Sequence, residues 1–174
     1  MIFTETPLQG AYLVAIEFSC DTRGGFGRAF SAREFREHGL EFDLTEVSVS
    51  RNLRTGTLRG MHYQLSPHEE TKLVRVTQGA AFDVIVDLRF DSPSRGQWFG
   101  IELSAANATA LYIPKGFAHG FLTLEENTEI LYQISDTFMP LAVAGFAWND
   151  PSIGISWPMP PRILSEKDRM LSNL

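Results

Sequence analysis

Along this chain the hydrophobic positions fall into short runs of Val, Ile, Phe and Tyr at close spacing, and helical stripes are sparse. Four runs come early: AYLVAIEF from Ala11 to Phe18, TEVSVS from Thr45 to Ser50, KLVRVT from Lys72 to Thr77 and AFDVIVDL from Ala81 to Leu88. WFGIELS, ALYIP, HGFLTL and EILYQI continue the series, separated by GG, SPSRG, AAN and EEN clusters that read as turns. Many short strands with turn signals between them predict an all-β sandwich or barrel.

Two short helices interrupt this pattern. In SAREFREHG, Ser31 and Glu34 form a capping box and Gly39 supplies the C-terminal stop. Near the other end, Ser165 precedes Glu166, Lys167 and Asp168 after the prolines Pro158, Pro160 and Pro161, which predicts a short terminal helix. No repeat, low-complexity stretch or linker divides the chain. Its 174 residues suit a single domain, 1–174, large enough to bury a core without disulfides or metal.

The segment GTLRGMHYQLSPHEETKLVRVTQG, Gly56 to Gly79, concentrates polar residues among strand formers. If Thr57 to Tyr63 is a strand, a strict period of two sets Arg59, Met61 and Tyr63 on one face and Leu58 and His62 on the other. Whichever face turns inward carries a polar side chain into an apolar interior, where it needs a partner or a task.

Composition narrows the function classes. The net charge of −6, with Lys and Arg scattered among more numerous acids, excludes a nucleic-acid partner. A small anionic ligand remains open, because two or three cations converging in one pocket can oppose the global charge. The single cysteine, Cys20, allows no intrachain disulfide and suits a reducing compartment. MIFTETPLQG lacks a basic n-region and an apolar h-region, and no run approaches the roughly 20 apolar residues of a membrane span. The expectation is a soluble cytoplasmic protein with no membrane partner.

A second polar segment is LYIPKGFAHGF, Leu111 to Phe121, with Pro114, Gly116 and His119 in a Pro-x-Gly-x-x-His arrangement. Here the sequence resembles the cupin superfamily, whose first motif has two histidines two apart and then a glutamate. Gln64 stands where the second of those histidines would be, leaving His62, Glu69 and His119 as candidate ligands. A neutral amide is a poor substitute for imidazole, so no metal is expected.

Seven blocks in order cover nearly the whole chain: GTLRGMHYQ, KLVRVTQGAAFDVIVDLR, SPSRGQWFGIELS, IPKGFAHGF, EILYQISD, WNDPSIGISWP and LSEKD. Together they resemble the dTDP-4-dehydrorhamnose 3,5-epimerase family, which implies a cupin-like jelly-roll β-barrel and a cofactor-free isomerase of deoxysugar biosynthesis. By that resemblance His62 is the base that removes a proton beside a ketone and Asp168 its partner. Tyr132 is the acid on the opposite face and Lys72 supports the enolate oxygen. His119 lines the sugar pocket, Gln64 is a further substrate-binding residue, Arg23 and Arg59 meet the diphosphate, and Phe26 stacks on the base. The family also implies a homodimer whose N-terminal strands pair across the interface. Two positions depart from the commoner pattern: Arg28 stands in place of a glutamate, and Phe138, another substrate-binding candidate, in place of a tyrosine.

The chemistry asks for these residue types. A proton α to a carbonyl is weakly acidic, so its removal needs a base near neutral pKa and positive charge for the enolate. An imidazole steadied by a carboxylate meets the first need and a lysine the second, while inversion needs a proton donor on the other face. Each residue also has a plainer reading: Asp168 as a capping-box residue, His119 as a satisfied turn histidine, Lys72 and Arg59 as strand-edge charges, Tyr132 as core. His38 and His68 read as solvated. A non-catalytic sugar-nucleotide-binding barrel and a metal-dependent cupin enzyme remain alternatives on sequence alone.

Overall fold

The computed structural model describes residues 1–174, and its strands follow the hydrophobic runs closely. In chain order they are β1 (Ile2–Glu5), β2 (Tyr12–Ala15), β3 (Phe18–Asp21), β4 (Gly24–Gly27), β5 (Glu46–Asn52), β6 (Leu58–Gln64), β7 (Lys72–Gln78), β8 (Ala80–Asp87), β9 (Trp98–Ser104), β10 (Thr109–Ile113), β11 (Phe117–Thr123), β12 (Thr128–Ile134) and β13 (Val143–Gly145). The helices are α1 (Ala32–Glu37) and α2 (Glu166–Arg169). A six-stranded sheet runs β1-β2-β10-β7-β12-β5, a five-stranded sheet runs β13-β6-β11-β8-β9, and β3 and β4 pair as a separate hairpin. No hydrogen-bonded pair joins the two large sheets, so the expected barrel is a jelly-roll-like pair of facing sheets rather than a closed cylinder.

Alternation along each strand assigns residues to layers. Val74 and Val76 of β7, Ala81 and Ile85 of β8, Phe117 and Phe121 of β11 and Ile130 of β12 meet in the central core. Leu73 points the other way, into a second cluster where Phe35 of α1 packs with Phe42 and Tyr112. Val84 and Val86 of β8, Met61 and Phe146 form a third cluster. Phe121 is 1% exposed, and replacing such a phenylalanine by alanine costs about 3–5 kcal/mol. Ser31 caps α1 as expected, its hydroxyl accepting from the Glu34 N–H at 3.4 Å.

Strict alternation fails in β6. His62 pairs with His119 and Arg59 with Phe121, so three steps on β6 match two on β11. This extra residue is a β-bulge, and it reverses the phase of the strand between Arg59 and His62. The two residues therefore face the same side, correcting the opposite faces expected from the period of two. Gly60 permits the bulge: its φ is +138°, and an added Cβ would stand 2.6 Å from Gly120 Cα.

Candidate active site

β6, β11, β12 and β5 send polar side chains into a cavity of about 440 Å³ at the edge of the core. Ser48, Ser50, Arg59, His62, Lys72, His119, Tyr132, Lys167 and Asp168 supply its polar lining. A second cavity of about 270 Å³ adjoins it, with His62, Lys72, Tyr132 and Lys167 common to both. Its far wall is apolar, with Ile134, Phe138 and Val143. Three cations, Arg59, Lys72 and Lys167, line the larger cavity with Asp168 as its one carboxylate, while Glu70 pairs with Lys72 from the adjoining cavity, in a chain of net charge −6. That local excess suits an anionic ligand.

His62 is anchored by α2. Its Nε2 lies 2.7 Å from Asp168 Oδ1, and Asp168 is 5% exposed. A carboxylate only accepts, so Nε2 carries the proton and Nδ1, which no protein group engages, is the basic nitrogen. The capping-box reading of Asp168 is half realised. Its backbone N–H donates to Ser165 Oγ at 3.0 Å, but its carboxylate serves His62 across 106 positions of sequence. Burial pushes the His62 imidazole below its ordinary pKa, Asp168 opposes that shift, and the charges of Lys167 and Lys72 add to it. The ring is therefore neutral, and able to accept a proton, at neutral pH.

Tyr132 enters from the other sheet. Burial pushes its phenol well above the ordinary value, and the Asp83 carboxylate adds to the effect, so the hydroxyl stays protonated. Its ring meets the His119 imidazole edge-on at 5.8 Å. His119 is a satisfied histidine, but within strand β11 rather than a turn: its Nε2 donates to both oxygens of fully buried Asp83, at 2.9 and 3.0 Å. Asp83 went unnoticed in the sequence, although an aspartate in phase with Ala81 and Ile85 in AFDVIVDL carried the signal.

No group of three His, Cys, Asp or Glu side chains could hold a metal ion. Gln64 stands at the second histidine position with its amide bonded to Glu70, the His68 carbonyl and the Met139 N–H, so the ligand set of a metal cupin does not fit these residues.

The sequence model of the dTDP-4-dehydrorhamnose 3,5-epimerase family matches residues 5–174. The chain belongs to this family. It is 44% identical over 149 residues to the dTDP-4-dehydrorhamnose 3,5-epimerase of Sinorhizobium fredii, covering 85% of this chain and 76% of that one. The crystal structure of the Bacillus anthracis dTDP-4-dehydrorhamnose 3,5-epimerase with TDP and PPi bound superposes with a TM-score of 0.96 at 40% identity, over 99% of each chain. The Legionella pneumophila dTDP-6-deoxy-D-glucose-3,5-epimerase in complex with dTDP-4-keto-L-rhamnose gives 0.92 at 34% identity, over 99% of this chain and 92% of that one.

Against the epimerase resemblance, the fold gathers His62, Lys72, Tyr132, Asp168, Arg59 and His119 around one cavity. Phe138, 58% exposed, and Gln64 line the adjoining one. Arg23 and Phe26 lie elsewhere. Both sit on the β3–β4 hairpin, Arg23 paired with Asp21 and Phe26 86% exposed, and neither lines either cavity of its own chain. Arg28, at the family's glutamate position, is also outside, bonded to Glu34 Oε1 at 2.8 Å. His38 is exposed as expected but stacks on Phe3 at 3.9 Å, and His68 is half-buried rather than solvated. Lys167 and Glu70 are further residues that sequence reasoning passed over. Lys167 precedes Asp168 in the chain and shares its helix turn.

Proposed function

We propose that this protein is a cofactor-independent epimerase of a nucleoside-diphosphate 4-keto-6-deoxyhexose. The observation that carries the reading is the His62–Asp168 pair facing the cavity that Tyr132 and Lys72 also line. His62 Nδ1 takes the proton from a carbon flanking the ketone. The C–H electron pair moves into the carbon–carbon bond as the carbonyl becomes an enolate, whose oxygen charge the Lys72 ammonium offsets. The Tyr132 phenol then returns a proton from the opposite face as the carbonyl re-forms, the configuration inverts, and proton exchange with water returns the resulting imidazolium and phenolate to their starting states. The substrate's own ketone is the electron sink, so the scheme calls on no nicotinamide or metal.

The nucleotide is dTDP in this reading, supported by the TDP and dTDP-sugar complexes of the two related structures. Arg59 and Lys167, which line the larger cavity, meet the diphosphate charge in this reading. For Arg23 and Phe26 to bind nucleotide they must do so in another copy's cleft, which argues for a homodimer. Exposed Val47 and Val49 on edge strand β5 give such a dimer apolar surface to cover. No helix is long and apolar enough to cross a membrane. With its one free cysteine, the chain is assigned to the cytoplasm.

The test is proton exchange. Incubated in deuterium oxide with dTDP-4-keto-6-deoxyglucose, without added metal or nicotinamide, the protein should wash deuterium into carbons flanking the ketone. Absence of exchange with this and with the CDP, GDP and UDP analogues would reject the enzyme.

A further inference from the structure

Lys72 is held, and what holds it is itself braced. Its Nζ lies 2.7 Å from Glu70 Oε1, with the two side chains 12% and 10% exposed. The other carboxylate oxygen of Glu70 accepts from Gln64 Nε2 at 2.9 Å. That amide nitrogen also donates to the His68 carbonyl at 3.0 Å, and the Gln64 carbonyl oxygen accepts from the Met139 N–H at 2.8 Å. Gln64 is 5% exposed, and both of its N–H donors and its acceptor are engaged within the protein. A polar chain therefore runs from the segment bearing Phe138 and Met139, through Gln64 and Glu70, to the lysine.

Stability is a weak explanation for this arrangement, because desolvating a buried ion pair offsets most of its attraction. Geometry is a better one. A lysine ammonium on a flexible four-carbon stem samples many positions, whereas stabilising a developing oxyanion demands a charge already in place. Glu70 lines only the smaller cavity, while Lys72 lines both. The carboxylate thus pairs with the ammonium from that side, and no other carboxylate lies within ion-pair distance of it.

We propose that Glu70 is the positioning residue for the enolate-stabilising lysine, and that Gln64 is the strut fixing Glu70 to the Phe138 segment. The role assigned to Lys72 rests on the proposed epimerase reading. The position of Lys72 does not, and the two are tested separately.

The chain has three lysines, Lys72, Lys115 and Lys167, and Lys115 is exposed. Reductive methylation read by mass spectrometry therefore reports the freedom of Lys72 against Lys115 within one sample. Glu70→Gln keeps the size and removes the charge. The Lys72-to-Lys115 labelling ratio should rise about fivefold or more as the pair is lost, kcat should fall about tenfold or more, and KM should stay within about threefold. Glu70→Asp, which keeps the charge on a shorter stem, should recover part of kcat. If Glu70→Gln fails to fold, Gln64→Leu removes the strut from its other end and must raise the same ratio. An unchanged ratio overturns the proposal, as does an unchanged kcat in an active enzyme. A wild type that exchanges no deuterium sinks the epimerase reading alone, since the labelling ratio still decides whether Glu70 fixes Lys72.

Discussion

Arg59 and His62 occupy one strand three positions apart and line the same cavity, because a bulge between them reverses the phase of the pleat. The bulge needs glycine at position 60, where φ is +138° and a Cβ would collide with the backbone of Gly120. Gly60→Ala should therefore lower the melting temperature and cut kcat/KM together, by about 2 kcal/mol or more of stability. Thermal unfolding and steady-state kinetics check this. A variant with unchanged values would mean that the strand accommodates a side chain there.

His62→Ala should abolish deuterium exchange while dTDP still binds with near wild-type affinity, since the ring is the proposed base and has no part in the proposed phosphate contacts. Calorimetric titration with dTDP beside the exchange assay separates the two. Residual exchange above about 1% of wild type would point to another base.

Asp168→Asn should lower kcat by roughly 10²- to 10⁴-fold, because an amide can present the wrong partner to Nε2 and leave the imidazole in the wrong tautomer. The pH profile adds a second reading. Burial holds the His62 pKa below its ordinary 6.5, so the acid limb of kcat/KM should lie below pH 6.5 in the wild type. Asp168 favours the protonated ring, so removing its charge should move that limb lower still. The sign for stability follows the same shift. The folded state resists protonating His62 more than the unfolded chain does, so this stabilisation is complete above 6.5 and is lost as pH falls through the folded pKa.

Arg23→Ala should raise KM about tenfold with little change in kcat if the β3–β4 hairpin binds the nucleotide of a partner copy. Mixing Arg23→Ala chains with His62→Ala chains then gives a sharper outcome. A heterodimer would contain one site with both defects and one with neither, so at substrate well below the raised KM activity should rise on mixing and subunit exchange. Failure to recover activity from mixed dimers, confirmed as mixed by native mass spectrometry, would return the hairpin to its own chain or to no role.

The all-β class, both short helices and most strand positions were legible in the sequence, because turn residues and a period of two are local properties that few neighbours can override. That His62, Lys72, Tyr132 and Asp168 share one cavity was legible only through seven blocks resembling a known family. Nothing in the spacing of positions 62 and 168 implies a 2.7 Å contact. The tertiary structure decided the rest. One inserted residue on β6 turned Arg59 and His62 to a common side, Asp83 acquired a partner only when β8 lay beside β11, and Glu70 met Lys72 inside a cavity wall that the segment around Phe138 completes. Pairing between distant strands is set by register and by the burial of whole faces, and those are properties of the folded sheet rather than of any short stretch of chain.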